Sequence, residues 1–354
     1  MRLTRREFSR LSALSGLALF GEVPASEPPA TPPPDETTVF RVAVVKTTNR
    51  EEGVARAVAL LDETAASDFS GKDIYLKGSY NSPDPSPATT HPDALRAVVR
   101  LLRDRGAKNI TLVERSGMGR TREVVEKLDA LDLLRKLEIA FYPLDEIPAE
   151  DWCFMELDGS HWPKGIAIPS FLRQDICVVQ LCTPKTHRFG GEFSASLKNS
   201  IGLIAKRVNA TERKTLRSNE MMVSDRSRNF MADLHASPFM GQMVAEVNQV
   251  YAPAVVVMDA TEVFVAGGPE KGEIAHPEII AASQDRVALD AVGFSILQHA
   301  GARIGGSLSA FEQPQIKRAV ELHLGASYPE EIEIVSDDRD GRLLARRLES
   351  ILRK

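Results

Sequence analysis

The chain has 354 residues, 43% of them hydrophobic, and a formal net charge of -5 from 44 Lys and Arg against 49 Asp and Glu. That is enough apolar material to bury the core of one large or two smaller domains. The mildly acidic balance argues against a general nucleic-acid binder, which needs a basic surface.

Residues 1–25 read as an export signal. Thr4-Arg5-Arg6-Glu7-Phe8 carries the paired arginines of a twin-arginine leader, Leu11–Phe20 is a short apolar run, and Val23-Pro24-Ala25 is a small-residue cleavage site. The partner this implies is the twin-arginine export machinery, and the location is periplasmic or otherwise exported by that route. The run is far below the roughly 18 apolar residues of a membrane span. No second long apolar segment is present, so the mature chain is expected to have no transmembrane span. Residues 26–37 are a Pro-rich linker, an extended tether by composition.

From Thr38 strand and helix patterns alternate to about residue 340. Val39–Lys46 is β-rich, and Glu51–Ala65 puts Val54, Val58 and Leu61 on one helical face. Ile74–Lys77 is a short strand. His91–Arg105 is a helix opened by Pro92 and Asp93 and stopped by Gly106. Asn109–Glu114 is a strand, Arg122–Leu137 an amphipathic helix, and Glu138–Tyr142, Ile166–Pro169 and Asp175–Leu181 are strands. Met240–Tyr251 is a helix before the strand Ala254–Asp259, and the strand Glu278–Ser283 leads into the apolar helix Val287–His299. This rhythm predicts an α/β fold with a mostly parallel sheet and helices on both faces, in one body or in two lobes of about 38–182 and 183–340. Lys206–Ser237 breaks the rhythm with a polar stretch that reads as an irregular lid or a disordered insertion. Residues 341–354 are a charged tail, either a surface helix or a frayed end.

Ligands of open α/β sheets bind beyond the carboxyl ends of the strands. Unusual residues come after nearly every predicted strand: Lys77, Ser79 and Asn81; Glu114, Ser116 and Gly117; Lys185 and His187; Asp259 and Gly268; Ser283 and Asp285. Together they describe a polar rim rich in cations. Lys77 and Lys185 could clamp an anion or serve as bases of lowered pKa. His187 could be a general acid/base or a metal ligand, with His235 as a partner across the lid. Ser116-Gly117-Met118-Gly119 could present amides to an anion or be a plain turn and helix cap. In Ser196-Leu197-Lys198-Asn199, Lys198 could point at the ligand or Ser196 merely cap a helix. Asp290, inside an apolar helix, needs a partner and reads as structural or as an orienting residue.

Cys153, Cys177 and Cys182 match neither a zinc ribbon nor a ferredoxin-type cluster. Cys177 and Cys182 read as small apolar residues on or beside a strand, though one disulfide is possible in an oxidising compartment. No Gly-x-Ser-x-Gly elbow, Walker loop or His-Glu-x-x-His is present, so common hydrolases, NTPases and zincins are not indicated.

Lys77 with Ser82-Pro83, Thr89-Thr90-His91-Pro92, Pro184-Lys185-Thr186-His187, Ser196-Leu197-Lys198-Asn199-Ser200-Ile201-Gly202, Gly268-Pro269 and Ser283-Gln284-Asp285-Arg286 occur in an order that resembles the domain-of-unknown-function-362 family over roughly Val42–Ala300. The resemblance implies an α/β fold and a site near Lys185-Thr186-His187 and Ser196–Asn199, with no activity attached. Some relatives carry iron–sulfur modules; this chain has no such Cys run, and its cofactor is left unknown. Gly78-Ser79, Arg286 and the loop before Gly268 depart from the family pattern.

These residues point to an exported enzyme acting on a small anionic substrate. Lys77, Lys185 and Lys198 hold negative charge, with Asn81, Ser116, Gly117, Asn199 and Gly268 beside it. His187 moves a proton. Asp259 and Asp285 orient partners or, with His187 and His235, bind a metal. The alternative is a non-catalytic periplasmic binding or cofactor-maturation protein.

Overall fold

Alternate residues of the first strand go to opposite faces: Val42 and Val44 join one buried apolar cluster, Ala43 and Val45 another. Burial on both faces is what a strand covered by helices above and below requires. A computed structural model describes residues 39–61, 68–163, 165–189, 192–208, 228–304, 306 and 308–354. The expected leader and linker, and 209–227 of the polar insertion, lie outside the described residues.

Eight strands build the central sheet: β1 (Phe40–Lys46), β2 (Asp73–Lys77), β3 (Asn109–Glu114), β4 (Ala140–Pro143), β5 (Cys177–Cys182), β6 (Val255–Ala260), β7 (Ile279–Ser283) and β8 (Ile332–Val335). Their spatial order is β8-β1-β7-β6-β5-β2-β3-β4, so strands from before and after residue 182 interleave. Neighbours pair in parallel except at β7, which runs antiparallel to both β1 and β6. This is the mostly parallel α/β sheet that the alternating pattern predicts.

Helices α1 (Arg50–Ala59), α2 (Pro92–Asp104), α3 (Thr121–Lys127) and α4 (Ala130–Lys136) cover the face holding Ala43 and Val45. The other face packs against α5 (Ser196–Asn199), α6 (Phe230–Ala236), α7 (Met240–Val247), α8 (Arg286–His299), α9 (Pro314–Glu321) and α10 (Arg339–Leu352). α2 starts as its sequence predicts, with Pro92 in the first turn and His91 Nδ1 accepting from Asp93 N at 3.1 Å. α8 is buried from Arg286 through Leu297, which explains its apolar composition on every side. Among the described residues no helix is long and apolar enough to cross a membrane.

Several elements differ from the sequence expectation. Arg122–Leu137 is two helices, because Asp129 takes a left-handed φ of 53° between them. Ile166–Pro169 pairs with Trp152–Met155 in a separate ribbon and does not enter the central sheet. The described end of the polar insertion is regular: Arg207-Val208 pairs antiparallel with Arg228-Asn229, and α6 comes next, capped where Asn229 Oδ1 accepts from Ala232 N at 3.1 Å. Phe230 and Leu234, four residues apart, bury the inner side of α6, a helix of seven residues. The charged tail is α10, and Leu344, Ala345, Leu348 and Leu352 anchor it to the core.

Candidate functional site

The carboxyl ends of β2, β3 and β5 open under α6 and α7 into a cavity of about 870 Å³. Lys77, Asn81, Gly117, Lys185, His187, Lys198, Asn199 and His235 all line it. Residues distant in sequence thus meet at one place, because parallel strands deliver the loops after them to the same edge.

The cations differ in how they are held. Lys77, at the end of β2, is buried, and its Nζ donates to Glu114 Oε2 at 2.9 Å, Gly78 O at 2.6 Å and Asn199 Oδ1 at 3.1 Å. Burial lowers its pKa, and the Glu114 carboxylate opposes that shift. All three ammonium donors have acceptors, so Lys77 fixes the site's frame. Glu114 is equally committed: Oε2 also accepts from Tyr80 N at 2.8 Å, and Oε1 accepts from Arg115 N at 2.9 Å. Gly202 passes so close to this pair that a Cβ would strike Lys77 and Glu114.

Lys185 is buried with Nζ donating to Ala88 O at 3.1 Å and to Thr183 Oγ1. Burial pushes its ammonium down to about 7, against the pull of Cys182 and Asp259. Lys198 sits on α5. Its Nζ is buried and has no hydrogen-bond partner among the described residues. Burial alone pushes it down to about 7. His235, at the end of α6, is also held low, by burial first and then by the charges of Lys198 and Arg115.

Arg115 is a site residue that sequence reasoning alone does not nominate. Its Nε donates to Ile204 O at 2.9 Å, while Nη2 reaches Ile201 O and lies 3.4 Å from Met231 Sδ. Nη1 is left uncommitted among the described residues, and burial lowers the guanidinium to about 10. The available signal is its place directly after β3, between the more conspicuous Glu114 and Ser116. His187 comes after the short strand Lys185-Thr186, and its backbone N–H donates to Glu192 O at 2.7 Å. Its ring meets Phe189 edge-on with centroids 5.9 Å apart.

Other nominated residues serve the frame. Ser116 Oγ donates to Tyr80 O, and Ser116 N donates to Thr121 Oγ1 at 2.9 Å. Gly117 N donates to Asn81 Oδ1 at 2.9 Å and Met118 N to Asn81 O at 3.0 Å. These amides are therefore spent inside the protein, and the Ser116–Gly119 turn offers an anion fewer donors than its sequence suggests. Gly268 has φ of 64°, and a Cβ there would collide with Thr186 O; the next residue, Pro269, lines the cavity instead.

Asp259 and Asp285 do not join the cavity lining. Asp259 pairs with Arg50 Nε at 2.7 Å and accepts from Thr261 Oγ1 at 2.6 Å. Asp285 caps α8, accepting from Ala288 N at 2.5 Å, at the far edge of the sheet beside the start of β1. For Asp285 the reason is direction: β7 is antiparallel, so the loop after it lies opposite the carboxyl ends of the other strands. Among the described residues no three His, Cys, Asp or Glu side chains converge as a metal centre. Cys153, Cys177 and Cys182 are free thiols; Cys177 and Cys182 begin and end β5.

A buried polar network holds α5 from below. Asp290 accepts from Ser196 N at 2.7 Å and Leu197 N at 3.2 Å, and burial raises its pKa to about 7. Ser196 Oγ donates to Gln180 Oε1 at 2.6 Å, and Ser200 Oγ donates to Asn248 Oδ1 at 2.7 Å. Arg286 donates to Asn248 Oδ1 and Asn248 O, each at 2.8 Å, and to Tyr251 O at 2.6 Å. Asp290 is thus an orienting residue for the segment bearing Lys198. Gln180, polar in the middle of an apolar strand, is a sign of this network that the sequence carries in plain view.

Residues 74–295 match the model of a family described as a domain of unknown function, DUF362. Comparison with curated proteins finds no match. Among solved structures, the lactate racemase apoprotein from Thermoanaerobacterium thermosaccharolyticum is similar at 16% identity and a TM-score of 0.36, over 64% of this chain and 51% of that one. The chain spans about half the length of that protein.

Proposed function

We propose, for a chain that belongs to the DUF362 family and takes no activity from that description, an enzyme that binds an organic anion and moves a proton on it. The observation that carries this reading is Lys198: a residue of the cavity lining whose buried ammonium has no partner of its own among the described residues. Burying an unpaired charge is costly, and proteins retain such a group where something else completes it. Among the described residues the one acidic side chain in the lining, Glu114, is already bound to Lys77. An anion against Lys198 and Arg115 supplies the missing charge, and in a water-poor site that contact is strong.

Lys185 and His187 supply the proton chemistry. An amine near 7 is partly neutral at working pH, where a general base is most effective. His187 also borders a second pocket of about 740 Å³ lined by Thr186, Arg188 and Arg303. It therefore stands between the ligand cavity and an outer opening, a suitable place from which to return a proton to water.

The test pairs two variants in a deuterium-exchange screen of organic acids, read by NMR, with affinity measured by calorimetry. His187→Gln should keep affinity and lose exchange by about 10²–10⁴-fold. Lys198→Met should lose affinity. Tight binding with no exchange in the wild type would replace the enzyme by a binding or hand-over protein.

Export by the twin-arginine route belongs to the same proposal and rests on Arg5-Arg6 and the apolar run behind them. Changing both arginines to lysine should leave the protein in the cytoplasmic fraction of a twin-arginine-competent host. Unchanged periplasmic recovery would remove export from the reading.

A further inference from the structure

The walls of the cavity specify more of the ligand than its charge. Lys198, Arg115 and Lys185 supply the cationic part of the lining. Helices α6 and α7 supply an apolar part through Met231, Leu234 and Met240, joined by Tyr80, Met118 and Ile201. The contact of Arg115 Nη2 with Met231 Sδ, at 3.4 Å, marks where the two parts meet. Met118 and Phe189 also line the cavity and remain 49% and 46% exposed, large apolar side chains left facing solvent. Methionines on a binding surface adapt to irregular apolar shapes.

Size points the same way. Ligand pockets run from about 300 to 1,000 Å³ and take drug-sized molecules at the upper end. At about 870 Å³ this cavity is far larger than a two- or three-carbon acid needs. Such an acid would leave the methionine wall against water.

We infer that the ligand is an amphiphilic oxyanion, with one carboxylate or phosphate head at Lys198 and Arg115 and an apolar body along the wall formed by α6 and α7. This rests on the anion reading above and adds the second half of the molecule. Carboxylate and phosphate heads share the chemistry that Lys198 and Arg115 recognise, bidentate or point-charge contact with oxygens. A neutral lipid or a small polar acid satisfies only one half of the site.

The experiment is calorimetry of the full chain with straight-chain alkanoates from acetate to decanoate, each below its micellar concentration. Octanamide serves as the uncharged control and octyl phosphate as the alternative head. Affinity should rise about fourfold per methylene until the wall is filled. Octanamide should bind at least about thirtyfold more weakly than octanoate, the loss of a charge-assisted contact. Leu234→Ala should lower octanoate affinity more than acetate affinity. The octanoate-to-octyl phosphate ratio identifies the preferred head. If acetate binds as tightly as octanoate and depends on Lys198, the anion reading stands and the amphiphile falls. If no member binds, or if octanoate binds Lys198→Met as well as wild type, both fall.

Discussion

Replacing Lys198 by Met should stabilise the protein and abolish anion binding in one step. The two effects share a cause. The Lys198 ammonium is enclosed without a partner among the described residues, and burial has pushed it from 10.5 down to about 7. Holding that charge in the empty protein costs on the order of 2–4 kcal/mol at neutral pH. Methionine has similar length and no charge, so it removes the cost and keeps the packing. Because the folded value lies below the unfolded one, the penalty is complete below about pH 7 and fades as pH climbs toward 10.5. Stability of the wild type relative to Lys198→Met should therefore recover across that window. Thermal melts of both proteins at about pH 6, 8 and 10, with and without octanoate, make the comparison. Octanoate should raise the wild-type midpoint and leave the variant unmoved, with at least a hundredfold loss of affinity. A variant that melts lower than wild type at the acid end of that range, or that still responds to octanoate, would sink the assignment.

Asp290→Ala should have the largest destabilising effect of any change near the site. Asp290 is fully buried and accepts two backbone N–H groups from the first residues of α5. Alanine leaves Ser196 N and Leu197 N buried without acceptors and opens a void beneath them. Unsatisfied buried donors cost about 1–3 kcal/mol each. It also removes a nearby negative charge from Arg286, whose guanidinium is held by Asn248 and Tyr251 in the same network. A total loss of roughly 3–5 kcal/mol is expected, read as the midpoint of urea unfolding. Asp290→Asn keeps one acceptor and the side-chain volume, so it should lose about half as much. It should also weaken anion binding, because it loosens the segment that carries Lys198. A loss of stability with unchanged affinity in Asp290→Asn would make Asp290 structural only.

Much of this site is legible in the sequence, and the reason is geometric. Lys77, Lys185, His187 and Lys198 stand after predicted strands or in the Ser-Leu-Lys-Asn segment, and parallel strands gather such residues at one edge. The same rule misplaces Asp285, because nothing within Ile279–Ser283 tells whether that strand runs with or against its neighbours. Direction is set by which strands it pairs with, a long-range property. Arg115 escapes notice for a different reason. An arginine after a strand looks like a surface cation, and only packing under Ile201 and Ile204 makes it a site residue. The role of α6 is hidden because seven residues are too few to reveal a helix before tertiary contacts select them. Residue type also cannot distinguish Lys77, which is fully partnered, from Lys198, which is not.

The placement of β1 has a consequence in time. Its sheet partners are β7 and β8, whose residues begin at Ile279 and Ile332, so the first of the described strands to be synthesised waits for the last two. At about 5–20 residues per second that wait is roughly 15–60 s. Through it, Phe40–Lys46, apolar on both faces, has neither of its sheet partners. The parallel pairing of β2, β3 and β4 needs only residues up to 143 and can form meanwhile. Synthesis thus makes the pairings available from the far edge of the sheet inward, with those of β1 last among the described strands.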